Sequence, residues 1–257
     1  MNIKKMKQSA LKNLRGNYAV MISSVLIFLI MGVCCDIIAK LAHANWISPI
    51  LLLIFGSLFY IGYKDITMKV AEGRKPKINL LTEKTDSFGK CMLVTIILAF
   101  ILAIFFALET FTFQSLVIVM QNAAETNFIL LSLLVIFGLI LSTIVIMLAL
   151  YIIYSFSLVY FILRDEPGLP VRKIFSKSFD MMNGYVVDYF ILMLSFIGWF
   201  ILGLFTFGLL YIWLVPYMGV VFAKCYMKIK KDYDECAGAD GPMDLIADEA
   251  KIQAETA

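Results

Sequence analysis

Long stretches without charge alternate along this chain with short stretches crowded by lysine and arginine. Residues 189–223 form 35 consecutive uncharged positions, and residues 128–163 form 36. A helix crosses a hydrocarbon layer roughly 30 Å thick with about 20 apolar residues, at about 1.5 Å per residue. At that scale the pattern predicts six crossing helices, near residues 18–38, 47–63, 91–120, 128–163, 185–205 and 208–227. The 35-residue run is too long for one helix and basic at both ends, with Lys177 before it and Lys224, Lys228, Lys230 and Lys231 after it. It therefore divides into two passes, with a turn at Thr206-Phe207-Gly208, where glycine is present and no basic residue is. The 36-residue run is nearly twice a crossing, so it must tilt, kink or protrude, and Gly138 and the Ser142–Thr143 pair are places where a bend is cheap.

Two further segments have helical periodicity with a basic face. In the first, Ile3, Met6, Ala10, Leu11 and Leu14 share one side, and Lys4, Lys5, Lys7, Lys12 and Arg15 crowd the other. Pro170 opens the second: Val171, Ile174, Phe175, Ser178 and Met182 line up, and Arg172, Lys173 and Lys177 avoid them. Both patterns suit helices lying on an anionic leaflet. Basic residues also orient a membrane protein, because they favour the cytoplasmic side. Five precede the first pass, seven follow the second, four follow the fourth and four follow the sixth; the exceptions are Lys40 and Lys251. The expected fold is all-α. It is a polytopic membrane protein with six transmembrane helices in three hairpins, amphipathic interfacial helices and both termini cytoplasmic. Each hairpin starts close to a glycine (Gly16, Gly89, Gly184), which suggests a threefold internal repeat. Residues 232–257 carry eight acids and one lysine, and are expected to form a disordered cytoplasmic tail with at most a short helix over 243–254.

Composition sharpens the class. Hydrophobic residues make up 61% of the chain and charged residues 16%, against about half and about a quarter in soluble domains. The five cysteines contain no Cys-x-x-Cys pair and His43 is the only histidine, so neither a cofactor nor a metal is expected. Nucleic acid is not an expected partner either. The expected partners are membrane lipids, anionic inner-leaflet lipids above all, and a membrane protein. No phosphate loop or nucleophile elbow occurs, and the chain is read as non-enzymatic.

Ionisable groups inside a membrane are costly, which makes them candidates for function. Asp36, Lys40, Glu109 and Asp188 are such groups, and Lys40 is placed to pair with Asp36 or Glu109. Ser195, Trp199, Thr206 and Tyr217 add polar atoms to the last two passes, either as a cavity lining or as bonds between helices. Two readings follow. One is an accessory or membrane-homeostasis protein acting through lipid or protein contacts. The other is a transporter or lipid translocator, which requires a polar intramembrane cavity holding Asp36 or Glu109.

Two stretches carry a family resemblance. One is Tyr154-Ser-x-x-x-x-Tyr160-x-Ile-Leu-Arg-Asp-x-Pro167. The other is Ser178-x-x-x-Met-x-Gly184, followed by Ser195-Phe-Ile-Gly-Trp199, Gly203-x-x-Thr206-x-Gly208 and Pro216-Tyr217. Together with the Leu14-Arg-Gly-Asn17 start, they resemble a bacterial integral membrane family known only as domain of unknown function nine-seven-five. The resemblance implies a six-pass protein of the cytoplasmic membrane, chiefly of Gram-positive bacteria. The family has no established activity, so it implies no catalytic residues.

Overall fold

A computed structural model describes residues 2–44, 46–76, 78, 88–121 and 128–239. The 122–127 loop, Leu80, Leu81 and the acidic tail from residue 240, with its expected helix, lie outside the described residues. Within them the chain is helical and has no strand. In order the helices are α1 (Ile3–Leu14), α2 (Tyr18–Leu41), α3 (Ile47–Ala71), α4 (Phe88–Gln121), α5 (Phe128–Ser155), α6 (Val159–Asp165), α7 (Val171–Met182), α8 (Val186–Leu194), α9 (Ile197–Phe205) and α10 (Leu209–Ala239). Among the described residues six stretches are long and apolar enough to cross a membrane: Tyr18–Leu41, Ile47–Ala71, Phe88–Ile118, Ser132–Asp165, Val186–Phe205 and Leu209–Cys236. The fourth joins α5 to α6, and the fifth joins α8 to α9.

The amphipathic segments form α1 and α7, each of 12 residues. Asn2 caps α1 by accepting a hydrogen bond from the Lys5 N–H (3.1 Å). The buried stripe of α1 is Met6, Ala10 and Leu14; that of α7 is Ile174, Ser178, Met181 and Met182. Both stripes pack on protein, α1 on α10 and α3, and α7 on α6, α5 and α10. The two helices also end alike. Arg15 (φ −59°, ψ 122°) and Gly16 (φ 92°) turn the chain, and the Asn17 N–H closes the turn on the Leu14 carbonyl at 2.9 Å. Asn183 (φ −59°, ψ 124°) and Gly184 (φ 83°) repeat it, with the Tyr185 N–H on the Met182 carbonyl at 2.9 Å. Both are type II turns, which require a left-handed residue at the third position. Gly89 departs from the expected pattern: it lies inside α4 without a positive φ.

The long fourth run breaks at Phe156–Leu158, away from the expected sites. Gly138 and Ser142–Thr143 lie within continuous α5. Gly138 serves close packing instead, since a Cβ there would come within 2.6 Å of Leu116 Cδ1 on α4. At the actual break the Val159 N–H turns to the Phe156 carbonyl (3.3 Å) and releases the Ser155 carbonyl, which accepts the Ser178 hydroxyl of α7 at 2.8 Å. The α8–α9 break has the same construction. The Trp199 N–H bonds to the Phe196 carbonyl (2.9 Å), and the freed Ser195 carbonyl accepts Lys7 Nζ of α1 at 2.9 Å. Each amphipathic helix thus supplies a donor where a membrane-length helix is interrupted, to the buried Ser155 carbonyl in one case and the exposed Ser195 carbonyl in the other.

The core gathers at one end of the spans. Ile61, Ile66 and Val70 of α3, Leu158–Leu163, and Leu214–Ile229 of α10 supply most of it. Of its apolar window, α10 buries 44%, whereas the Ser132–Asp165 window buries none. The other halves carry large exposed apolar side chains, among them Ile30, Phe106, Phe113, Phe137 and Leu204. A surface of that extent is incompatible with water and compatible with hydrocarbon.

Candidate functional site

The charged end of the core is built around Arg164-Asp165-Glu166, at the C-terminus of α6. Arg164 Nε donates to Asp65 Oδ1 at 2.7 Å, and its Nη1 donates to Asp165 Oδ1 at 2.7 Å. Lys69, one turn beyond Asp65 on α3, approaches Asp65 Oδ2 at 3.1 Å. Asp165 Oδ2 accepts both Lys230 Nζ (2.8 Å) and the Tyr226 hydroxyl (2.9 Å) from α10. Glu166 accepts Lys177 Nζ of α7 at 2.6 Å. Lys90 of α4 reaches the carbonyls of Pro167 (2.5 Å) and Leu169 (3.1 Å). Five elements therefore meet on six consecutive residues. The Asp65 side chain is 2% exposed and that of Arg164 14%, so the lattice is partly withdrawn from solvent. Charges so placed are tolerated only when paired and hydrogen-bonded.

Lys64 precedes Asp65, and a helix rotates about 100° per residue, so it faces another side of α3. It is 9% exposed, and among the described residues no carboxylate lies within ion-pair distance of it. Its Nζ sits 4.1 Å from the ring centroid of Phe161 and 5.0 Å from that of Tyr60. Beside it a crevice of about 290 Å³ opens between α3, α4, α5 and α8, with α6 and α10 also reaching it; Leu98, Leu102, Ile152, Ile153 and Met193 line it together with Tyr60, Ser157, Tyr160 and Tyr189. A second crevice of about 490 Å³, between α2, α3 and α4, shares Tyr60, Leu98, Leu102 and Tyr160 with it. Thr95 Oγ1 donates to the Cys91 carbonyl (2.8 Å), so in its 3.0 Å contact with Tyr160 the tyrosine is the donor.

Residues 1–233 match the family model described as Protein of unknown function (DUF975). The chain belongs to this family. The match extends well beyond the two stretches that carry the resemblance and takes in all ten helices, α10 in part. No curated protein and no solved structure matches the chain significantly.

In this DUF975 protein the intramembrane candidates stand apart from the lattice. Asp36 is exposed and accepts the Ser48 hydroxyl, and Lys40 is exposed without an ion pair among the described residues. Glu109 is half-buried between α4 and α5, accepting the Ser142 hydroxyl, while its Oε2 has no hydrogen-bond partner among the described residues. Asp188 is half-buried in the first turn of α8. Ser195 is exposed and donates to the Leu192 carbonyl. Trp199 lies 5.6 Å from Trp213, which lies 5.3 Å from Tyr217, and Tyr217 is buried. Thr206 donates to the Gly203 carbonyl (3.0 Å) within the α9–α10 turn.

The basic faces divide. Lys4, Lys5, Lys12, Arg15, Arg172 and Lys173 are exposed, whereas Lys7 and Lys177 turn inward. Lys7 Nζ lies 3.9 Å from the Phe196 ring centroid, and burial lowers its pKa from the usual lysine value. Sequence reasoning counted Arg164, Lys64 and Lys230 only as markers of orientation, and passed over Asp65, Asp165 and Tyr226. The available signals were the Arg-Asp-x-Pro motif and Asp65 four residues before Lys69.

Proposed function

We propose that this chain is a non-enzymatic, multi-pass protein of a bacterial cytoplasmic membrane, acting through contacts with anionic inner-leaflet lipids or with a membrane protein. In this reading both termini are cytoplasmic, the charged end of the core lies at the inner surface, and the role is an accessory or homeostatic one. One observation carries it. The exposed bases of α1 and α7 (Lys4, Lys5, Lys12, Arg15, Arg172 and Lys173) belong to none of the ion pairs among the described residues, while Lys69, Arg164, Lys177 and Lys230 are spent on carboxylates. An unneutralised basic surface beside a hydrocarbon-compatible one attracts anionic headgroups, at about 1 kcal/mol per residue near the surface.

The test is reconstitution in nanodiscs of phosphatidylcholine alone or mixed with phosphatidylglycerol. The anionic discs should raise the melting temperature of the wild type. A variant with those six bases replaced by glutamine should lose most of that gain. Equal melting temperatures for the wild type in both discs would sink the reading. The transporter alternative has less support, since Asp36 and Glu109 lie on different helix pairs and neither lines the two crevices.

A further inference from the structure

We propose that the Lys64 crevice binds one anionic phospholipid, with the headgroup phosphate on Lys64 and an acyl chain lying between α4 and α5. The inference rests on the lipid-contact reading above but concerns a different surface. Three observations lead to it.

The first is charge. Lys64 is a buried amine whose contacts among the described residues are the rings of Phe161 and Tyr60. Desolvating an ammonium is costly, and ring contacts return about 2 kcal/mol at best. The carboxylates nearby in sequence and space are already engaged: Asp65 by Arg164 and Lys69, and Asp165 by Arg164 and Lys230. Tyr60 lines the same crevice and carries a hydroxyl that can serve as a second donor for a phosphate oxygen.

The second is depth. Lys64 immediately precedes Asp65, about 1.5 Å along α3, so it lies at the level of the Asp65–Arg164 bond. In the orientation proposed above that level is the inner membrane surface, where a lipid phosphate sits.

The third is shape. From Lys64 the crevice runs along Leu98, Leu102, Ile152 and Ile153, and Leu102 (48% exposed) and Ile153 (40% exposed) leave it open sideways. A soluble anion would need an aqueous mouth and would gain nothing from that apolar wall. A lipid enters laterally and uses both parts.

The protein, purified in mild detergent, is titrated with phosphatidylglycerol, phosphatidylcholine or inorganic phosphate and read by native mass spectrometry. The wild type should retain one phosphatidylglycerol. Lys64→Met should weaken retention about 10- to 100-fold, as expected for loss of a charge-assisted bond, and Lys64→Arg should restore most of it. Ile153→Trp, which fills the crevice without touching Lys64, should exclude the lipid and guards against misfolding of the lysine variants. Undiminished retention in both Lys64→Met and Ile153→Trp would overturn the proposal. So would equal retention of phosphatidylcholine, or displacement of the lipid by inorganic phosphate at similar concentration. The six-base variant should keep this lipid. If it keeps the lipid but loses anionic stabilisation, both proposals stand. If only the Lys64 result fails, the surface reading survives alone.

Discussion

Arg164 shows how much one side chain organises here. It bonds Asp65 across 99 positions of sequence and Asp165 beside it, and approaches Glu72 at 3.8 Å. Replacing it with methionine keeps the stem but leaves two largely buried carboxylates short of a base, Asp65 keeping Lys69 and Asp165 keeping Lys230. Arg164→Met should cost about 3–5 kcal/mol in equilibrium unfolding in mixed micelles. Adding Asp65→Asn should recover about 1 kcal/mol or more of that loss, because it removes one stranded charge; strictly additive losses would show that the pair is not coupled. Lys64 and Asp65 adjoin in sequence yet have opposite partners, rings for one and a guanidinium for the other. Composition cannot separate two neighbours of that kind. Only the rotation of α3 and the placement of α6 do so.

Among the elements, what could be read from sequence was run length and periodicity. The long apolar stretches and the 12-residue amphipathic helices follow directly from them. The interruptions do not. They fall at Phe156–Leu158 and Ser195–Phe196, where there is neither glycine nor proline, because a side chain of another helix takes over one carbonyl. A local breaker signal cannot report a distant donor. The glycines that do stand in apolar runs serve other ends, as Gly138 does against Leu116. The matching turns after α1 and α7 yield a comparison within one molecule. Gly16→Ala and Gly184→Ala should each destabilise by roughly 1–2 kcal/mol, since both positions are left-handed and open to a Cβ, so strain alone is read. Gly89→Ala, in a right-handed helix with open space, should instead stabilise by about 0.5–1 kcal/mol. Similar losses at all three would mean that Gly89 also occupies a turn, and would restore the threefold pattern.

Across the whole molecule, α10 is the hub, touching α1, α2, α3, α7 and α9. The proposed orientation places its C-terminal half, with Cys236 exposed near the end, on the cytoplasmic side. A variant retaining Cys236 as its only cysteine should react with a membrane-impermeant maleimide in permeabilised cells and not in intact ones; labelling in intact cells would invert the topology. The uneven core has a mechanical meaning as well. Side chains are interlocked at the charged end, whereas away from it α4 and α5 carry many exposed apolar side chains and pack more on each other than on any other helix. Such a body behaves as a stiff collar carrying compliant fingers. When a bilayer thins or thickens, helices of fixed length accommodate by tilting, at fractions of a kcal/mol per Å. Here that tilt has somewhere to go without straining the collar. In the proposed orientation, tilting of α4 and α5 would be felt at the Lys64 crevice, since both helices contribute to its lining.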